Sequence, residues 1–173
     1  MNFSIRRIIR VLAAPDHQLS CSSRRWRAGL KELKRRGRGW RESGAFLLGY
    51  HDGERRVVKR FVYYDDLDPH CLDTGIVVFD GTGYPPLWQL CRETGLRVLA
   101  DVHTHPGPAT QSPTDQANPM LARPGHVALI VPNLAQRKVG SSELGVYEYE
   151  GNHNWRDYSG KRAGTFLYIG FWG

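Results

Sequence analysis

The stretch LRVLADVHTHPGPATQSPTD, residues 96–115, decides how this chain is read. Its first half is apolar and rich in β-branched residues, so it reads as a strand, and its last residues are two histidines. Residues two apart on a strand point to the same side, so His103 and His105 present both imidazoles to one point. The Pro, Gly, Ser and Thr rich loop that follows is long enough to bring Asp115 back beside them.

Similar strands stand on either side of this one. GAFLLGY (44–50), RVVKRFVYY (56–64), GIVVFD (75–80), HVALIVP (126–132), GVYEYE (145–150) and TFLYIGFW (165–172) all carry the apolar and β-branched residues of sheets. FSIRRIIRVL (3–12) fits a strand or a helix. Helices fall between the strands. Trp26, Leu30 and Leu33 recur at offsets of four and three after the N-capping serines Ser22 and Ser23, giving an amphipathic helix over about 24–36 that Gly37 ends. PPLWQLCRETG (85–95) is a second helix that stops at glycine, and DQANPMLA (115–122) is helix-like. Interleaved helices and strands, with hairpin spacing near the end, predict an α/β or α+β domain built on a mixed sheet.

Size and composition agree with one globular unit, residues 1–173. The chain has 173 residues, of which 40% are hydrophobic and 24% charged, so it is neither disordered nor short of a core. At this length roughly 70% of the unfolded surface is buried on folding. No apolar run nears the ~20 residues of a membrane helix. The start, MNFSIRRIIRVLAAP, is too interrupted by Arg6, Arg7 and Arg10 for a signal peptide, and a cytoplasmic location is expected. Cys21, Cys71 and Cys91 are odd in number and widely spaced, which fits free thiols in a reducing compartment.

Charge is uneven. Residues 1–41 hold 12 of the 24 basic side chains against Asp16 and Glu32 alone, while the rest of the chain is slightly acidic. Such a segment could neutralise phosphates. Only Trp26 and Trp40 accompany the arginines of 24–41, however, and Trp26 belongs to the apolar side of its helix, so stacking on bases is poorly supported. A solvated helix face or an acidic protein partner is the better reading.

Two imidazoles and one carboxylate suit a zinc ion that keeps one position for water, although iron(II) accepts the same set. A hydrolase also needs a base and a donor to the oxyanion. Ser112, three residues before Asp115, is placed to offer its hydroxyl. Glu42 opens an apolar segment where a carboxylate is costly without a partner, and is the best candidate base.

Glu42 followed by SGAFLLG, then His103-Thr104-His105-Pro106, then Ser112-x-x-Asp115, resembles the signature of the JAMM (JAB/MPN) metalloproteases. The likeness covers about residues 40–132, and HVALIVPN resembles the strand that follows the motif in bacterial members. In one respect the chain departs from the pattern: six residues, Pro106 to Gln111, separate His105 from Ser112 where the family has seven. The resemblance implies a mixed, curved sheet flanked by helices, related to cytidine deaminases. It implies one catalytic Zn2+ held by His103, His105 and Asp115, Glu42 as the base and Ser112 at the oxyanion, with no covalent acyl-enzyme. It further implies cleavage after the C-terminal glycine of a ubiquitin-like protein or its conjugates. Small bacterial members resemble those found beside activating and conjugating enzymes in antiphage systems. A zinc hydrolase of a small thiol or peptide amide is the alternative enzyme, and an inactive scaffold or basic binding module the alternative of another class.

Other polar residues carry weaker expectations. Asp65, Asp66, Asp68 and Asp73 form an acidic loop that is either a solvated turn or a partner for an arginine-bearing tail. His70 and Cys71 are a weak metal pair. His17, His51 and His153 read as surface residues, His126 as a hydrogen-bonded structural histidine, and Asp101 as a residue able to orient His103.

Overall fold

Apolar alternation in the strands produces a sheet with two covered faces. The computed structural model describes residues 16–171 and 173, so the segment 3–12 and the end of 165–172 lie outside it. Its strands are β1 (Leu19–Ser22), β2 (Gly44–Asp52), β3 (Arg55–Tyr63), β4 (Arg97–Thr104), β5 (Val127–Val131), β6 (Gly145–Gly151), β7 (Asn154–Asp157) and β8 (Leu167–Gly170). They form one mixed sheet in the order β7-β6-β5-β4-β2-β3-β1-β8. β4 and β5 run parallel at its centre, β2 lies antiparallel to both β3 and β4, and β1 runs parallel to β3 and β8.

The sheet curls. Arg56 on β3 donates from Nη1 to Gly125 O at 2.9 Å and comes within 3.8 Å of Glu148 on β6. Three strands separate β3 from β6, which in a flat sheet would put them about 19 Å apart. No arginine side chain spans that distance.

Helix α1 (Ser23–Arg36) starts where Ser22 Oγ accepts from Arg25 N–H and ends at Gly37. Its apolar stripe of Trp26, Leu30 and Leu33 packs with Leu47, Val58, Val102, Leu129 and Val146 on one face of the sheet. Because side chains alternate along β2, Phe46 and Leu48 point the other way. There they meet Val62, Tyr64, Leu72 and Leu87, the last from α3 (Tyr84–Thr94), which ends at the left-handed Gly95. Tyr64 opens the short helix α2 (Tyr64–Leu67), and its ring lies so close over Gly44 that a Cβ there would overlap it. Two short helices remain, α4 (Pro113–Ala117) and α5 (Ala163–Phe166).

Several local expectations are corrected. GIVVFD (75–80) pairs in no ladder. It is a strip in which Ile76 and Val78 are each 50% exposed while Val77 and Phe79 turn onto the second core, so its alternation reflects a half-covered loop. The helix expected over 115–122 runs instead from Pro113 to Ala117, because Asn118 precedes Pro119 and leaves the helical region. Residues 163–166 form a helical turn before β8. Neither β1 nor β7 was legible, both being four residues long and partly polar. His17 is buried and stacks on Tyr168 at 5.1 Å between ring centroids.

Candidate metal centre

The pairing of Gly44 with His103 and Phe46 with Asp101 sets Asp101 and His103 on the face that carries Phe46 and Tyr64. His105 lies just past the end of β4, yet its backbone is held on both sides. Its N–H donates to Val131 O at 2.9 Å, and its carbonyl accepts from Leu134 N–H at 2.8 Å. That second bond depends on an unusual turn: Asn133, Leu134 and Ala135 all have φ between 50° and 55°. A left-handed run of non-glycine residues costs about 1–2 kcal/mol per residue. Asn133 N–H also donates to Gly107 O at 3.0 Å, so this strained turn clamps the backbone on either side of Pro106. Sequence gave little warning of it beyond an asparagine after Pro132.

Asp115 arrives on α4, whose start is a reciprocal cap. Ser112 Oγ accepts from Asp115 N–H at 3.1 Å and Asp115 Oδ2 accepts from Ser112 N–H at 2.7 Å, with Pro113 in the first turn. The S-x-x-D spacing is thus also the spacing of a capping box, a role the motif reading missed. It fixes one carboxylate oxygen of Asp115 while the other faces His103.

The three side chains converge. His103 Nε2 and His105 Nε2 are 3.0 Å apart, and Asp115 oxygens lie 3.5 Å from the first and 3.2 Å from the second. Four ligands placed tetrahedrally about zinc at roughly 2.0–2.1 Å stand about 3.3 Å from one another. The two imidazole nitrogens stand near that edge length, and Asp115 approaches each ring with a different carboxylate oxygen. His103 is 5% exposed and His105 9%. Burial disfavours a charged His103, but Asp101 and Asp115 outweigh it and raise the imidazole to about 10. Burial likewise pushes Asp115 up, and the two histidines and Ser112 N–H overcome it and hold the carboxyl well below its usual range. A buried cluster of this kind calls for positive charge at its centre, which a divalent cation supplies.

Behind His103 stands a polar network. Asp101 Oδ2 is 3.7 Å from His103 Nδ1, a buried nitrogen with no hydrogen-bond partner among the described residues, and accepts from Tyr64 Oη at 3.2 Å. Asp101 Oδ1 is 2.7 Å from His126 Nε2. Burial works to raise the Asp101 carboxyl, but His103 and His126 prevail and keep it low. His126 takes the hydrogen-bonded structural role expected of it, whereas Asp101 stands beside His103 without a hydrogen bond to its ring. Tyr64 was read only as the end of a strand, although a fully buried tyrosine needs a partner for its hydroxyl.

Glu42 is not one of the converging ligands. Thr104 N–H donates to Ser43 O at 2.9 Å, which carries the β2–β4 pairing one residue beyond Gly44 and His103, and Glu42 is the next residue before it. Its carboxylate accepts from Val77 N–H at 3.2 Å, and its own N–H donates to Gly75 O at 2.9 Å. The strip 75–79 therefore docks on Glu42.

The acidic loop is largely engaged within the chain. Arg36 donates to Asp65 at 2.6 Å and to Asp66 at 2.7 Å. His70 pairs with Asp73 at 2.9 Å, while Cys71 is buried and burial pushes its thiol up to about 12. All three cysteines are free.

Known proteins resemble parts of this picture. No family model matches the chain. Over 63 residues it is 35% identical to the "Probable metalloprotease y4jG" of Sinorhizobium fredii (strain NBRC 101917 / NGR234), a stretch making up 36% of this chain and 39% of that protein. The match thus spans well under half of that relative. Among solved structures, the solution structure of protein DSY2949 from Desulfitobacterium hafniense superposes with a TM-score of 0.61 at 17% identity, covering 88% of this chain and 94% of that one, which shows a shared fold. AF2198, a JAB1/MPN domain protein from Archaeoglobus fulgidus, superposes more loosely, at a TM-score of 0.41 and 19% identity over 79% of this chain and 91% of that one. A superposition that loose carries no argument. Among the described residues no helix is long and apolar enough to cross a membrane.

Proposed function

We propose that this chain is a JAMM-type zinc metallopeptidase that cleaves after the C-terminal glycine of a ubiquitin-like modifier. The observation that carries the reading is the convergence of His103, His105 and Asp115, with Glu42 two residues ahead of β2, the strand that pairs with the histidine-bearing β4. Local identity to a protein named as a probable metalloprotease supports the same chemistry.

His103, His105 and Asp115 would hold the zinc ion, which when bound polarises the scissile carbonyl and makes a nucleophile available at neutral pH. Glu42 accepts a proton from the attacking water and returns it to the leaving amine nitrogen. Val77 N–H, donating to one carboxylate oxygen, fixes the direction of the other. Ser112 uses an oxygen lone pair to accept from Asp115 N–H, which leaves its O–H proton to donate to the developing oxyanion. Removal or maturation of the modifier, in the cytoplasm and beside activating and conjugating enzymes of an antiphage system, is the biological setting this reading favours.

The test is cleavage of a ubiquitin-like protein carrying a C-terminal peptide extension by wild type and by Glu42→Gln. Cleavage after the glycine by wild type alone supports the reading. If the metal-loaded protein leaves a panel of such fusions intact but hydrolyses small amide conjugates, the substrate class is wrong.

A further inference from the structure

A groove of about 630 Å³ opens at the start of β4, at the far end of that strand from His103. His51, Arg56, Arg97, Arg123 and His126 line it, and no acidic side chain does. Arg56 on its floor is buried and already committed to Gly125 O, Gln18 and Glu148. Arg97 and Arg123 differ: both are exposed on the walls, and neither makes an ion pair among the described residues. Two unpartnered guanidiniums facing one concavity attract a multiply charged anion, because each offers a planar fork of donors to phosphate oxygens. The remaining walls are largely apolar, and they include Trp88, which is 38% exposed. Its ring stacks on Tyr84 with an interplanar angle of 17°, and Tyr84 is itself tied by its hydroxyl to Met120 O at 2.6 Å. The indole is therefore braced from behind and offers a flat apolar surface. A groove of this size accommodates a small organic molecule.

We propose that this groove binds a nucleoside phosphate, with the phosphates on Arg97 and Arg123 and the base against Trp88. The site is separate from the metal centre, and the proposal is independent of the peptidase reading. His126 forms its inner wall, with Asp101 behind it at 2.7 Å.

The test is calorimetric titration of the full-length, zinc-loaded protein with ADP, adenosine and pyrophosphate, at fixed ionic strength. ADP is expected to bind more tightly than either fragment. Trp88→Ala should weaken ADP by roughly tenfold while leaving pyrophosphate unchanged. Arg97→Ala and Arg123→Ala should each weaken ADP and pyrophosphate together, and Arg97→Lys should recover only part of the loss. Arg27→Ala, on the exposed side of α1, should bind ADP as wild type does. All four side chains are exposed, so the variants are expected to fold, which circular dichroism verifies. No ADP binding at millimolar concentration, or an equal loss in Arg27→Ala, overturns the proposal. So does tighter binding of an acidic peptide than of ADP.

Discussion

Ser112 and Asp115 hold each other through two reciprocal hydrogen bonds, hydroxyl to amide at 3.1 Å and carboxylate to amide at 2.7 Å. The same four residues thus build the first turn of a helix and aim the Asp115 carboxylate at the two histidines. Ser112→Ala removes the cap and should cost about 1 kcal/mol in stability. It should also weaken zinc binding, because Asp115 loses one of its restraints. Chemical denaturation with competition for zinc by a chromophoric chelator measures both effects in one protein. Unchanged zinc affinity would confine Ser112 to capping and substrate contact.

Asp101 lies wholly within the protein, between His103, His126 and Tyr64. Residues that orient metal-bound histidines typically contribute 10- to 100-fold to metal affinity. Asp101→Asn should lose zinc affinity on that scale, whereas Tyr64→Phe, which leaves the carboxylate in place, should lose less. Equal losses would show that the hydroxyl does more than support Asp101.

Gly44 admits no side chain because the Tyr64 ring covers it. Gly44→Ala forces that ring away from Asp101 and should destabilise the fold by about 1–3 kcal/mol. Thermal unfolding detects this, and Gly44→Ala combined with Tyr64→Ala should recover the part due to overlap.

Glu32 accepts from Arg35 at 2.6 Å and Arg36 at 2.8 Å, and the hydrogen bond from Arg35 leads in lowering its carboxyl to about 2, against a smaller opposing effect of burial. A depressed carboxylate stabilises the fold above its unfolded value, near 4.5, and that stabilisation is lost as pH falls toward about 2. Since these groups lie near the surface, Glu32→Gln should cost only about 0.5 kcal/mol at pH 7. The difference from wild type should vanish at the acid end of that window, as read by urea unfolding at each pH.

Much of the centre of the fold was legible because its strands are long and apolar. β2 through β6 and helices α1 and α3 follow from hydrophobic period and capping glycines alone. The peripheral strands β1 and β7 were not, since four residues carry too little pattern. GIVVFD misled because Ile76 and Val78 are apolar yet exposed, so composition suggested a buried strand where there is a strip resting on Glu42. At the metal centre, the convergence of His103, His105 and Asp115 follows from strand period and loop length. What supports them does not. The left-handed turn at Asn133–Ala135 lies some 30 positions after His105 and Tyr64 nearly 40 before His103, and no local spacing announces either.

Zinc content and turnover measured on the same preparations of wild type, His103→Ala and Glu42→Gln test the central claim most directly. Wild type should carry one zinc per chain and be active, and chelation should abolish activity and lower the melting temperature. His103→Ala should lose both metal and activity. Glu42→Gln should keep the zinc and lose hydrolysis, because it removes a base and no ligand. Full zinc in His103→Ala, or zinc loss in Glu42→Gln, would contradict the assignment of ligands and base.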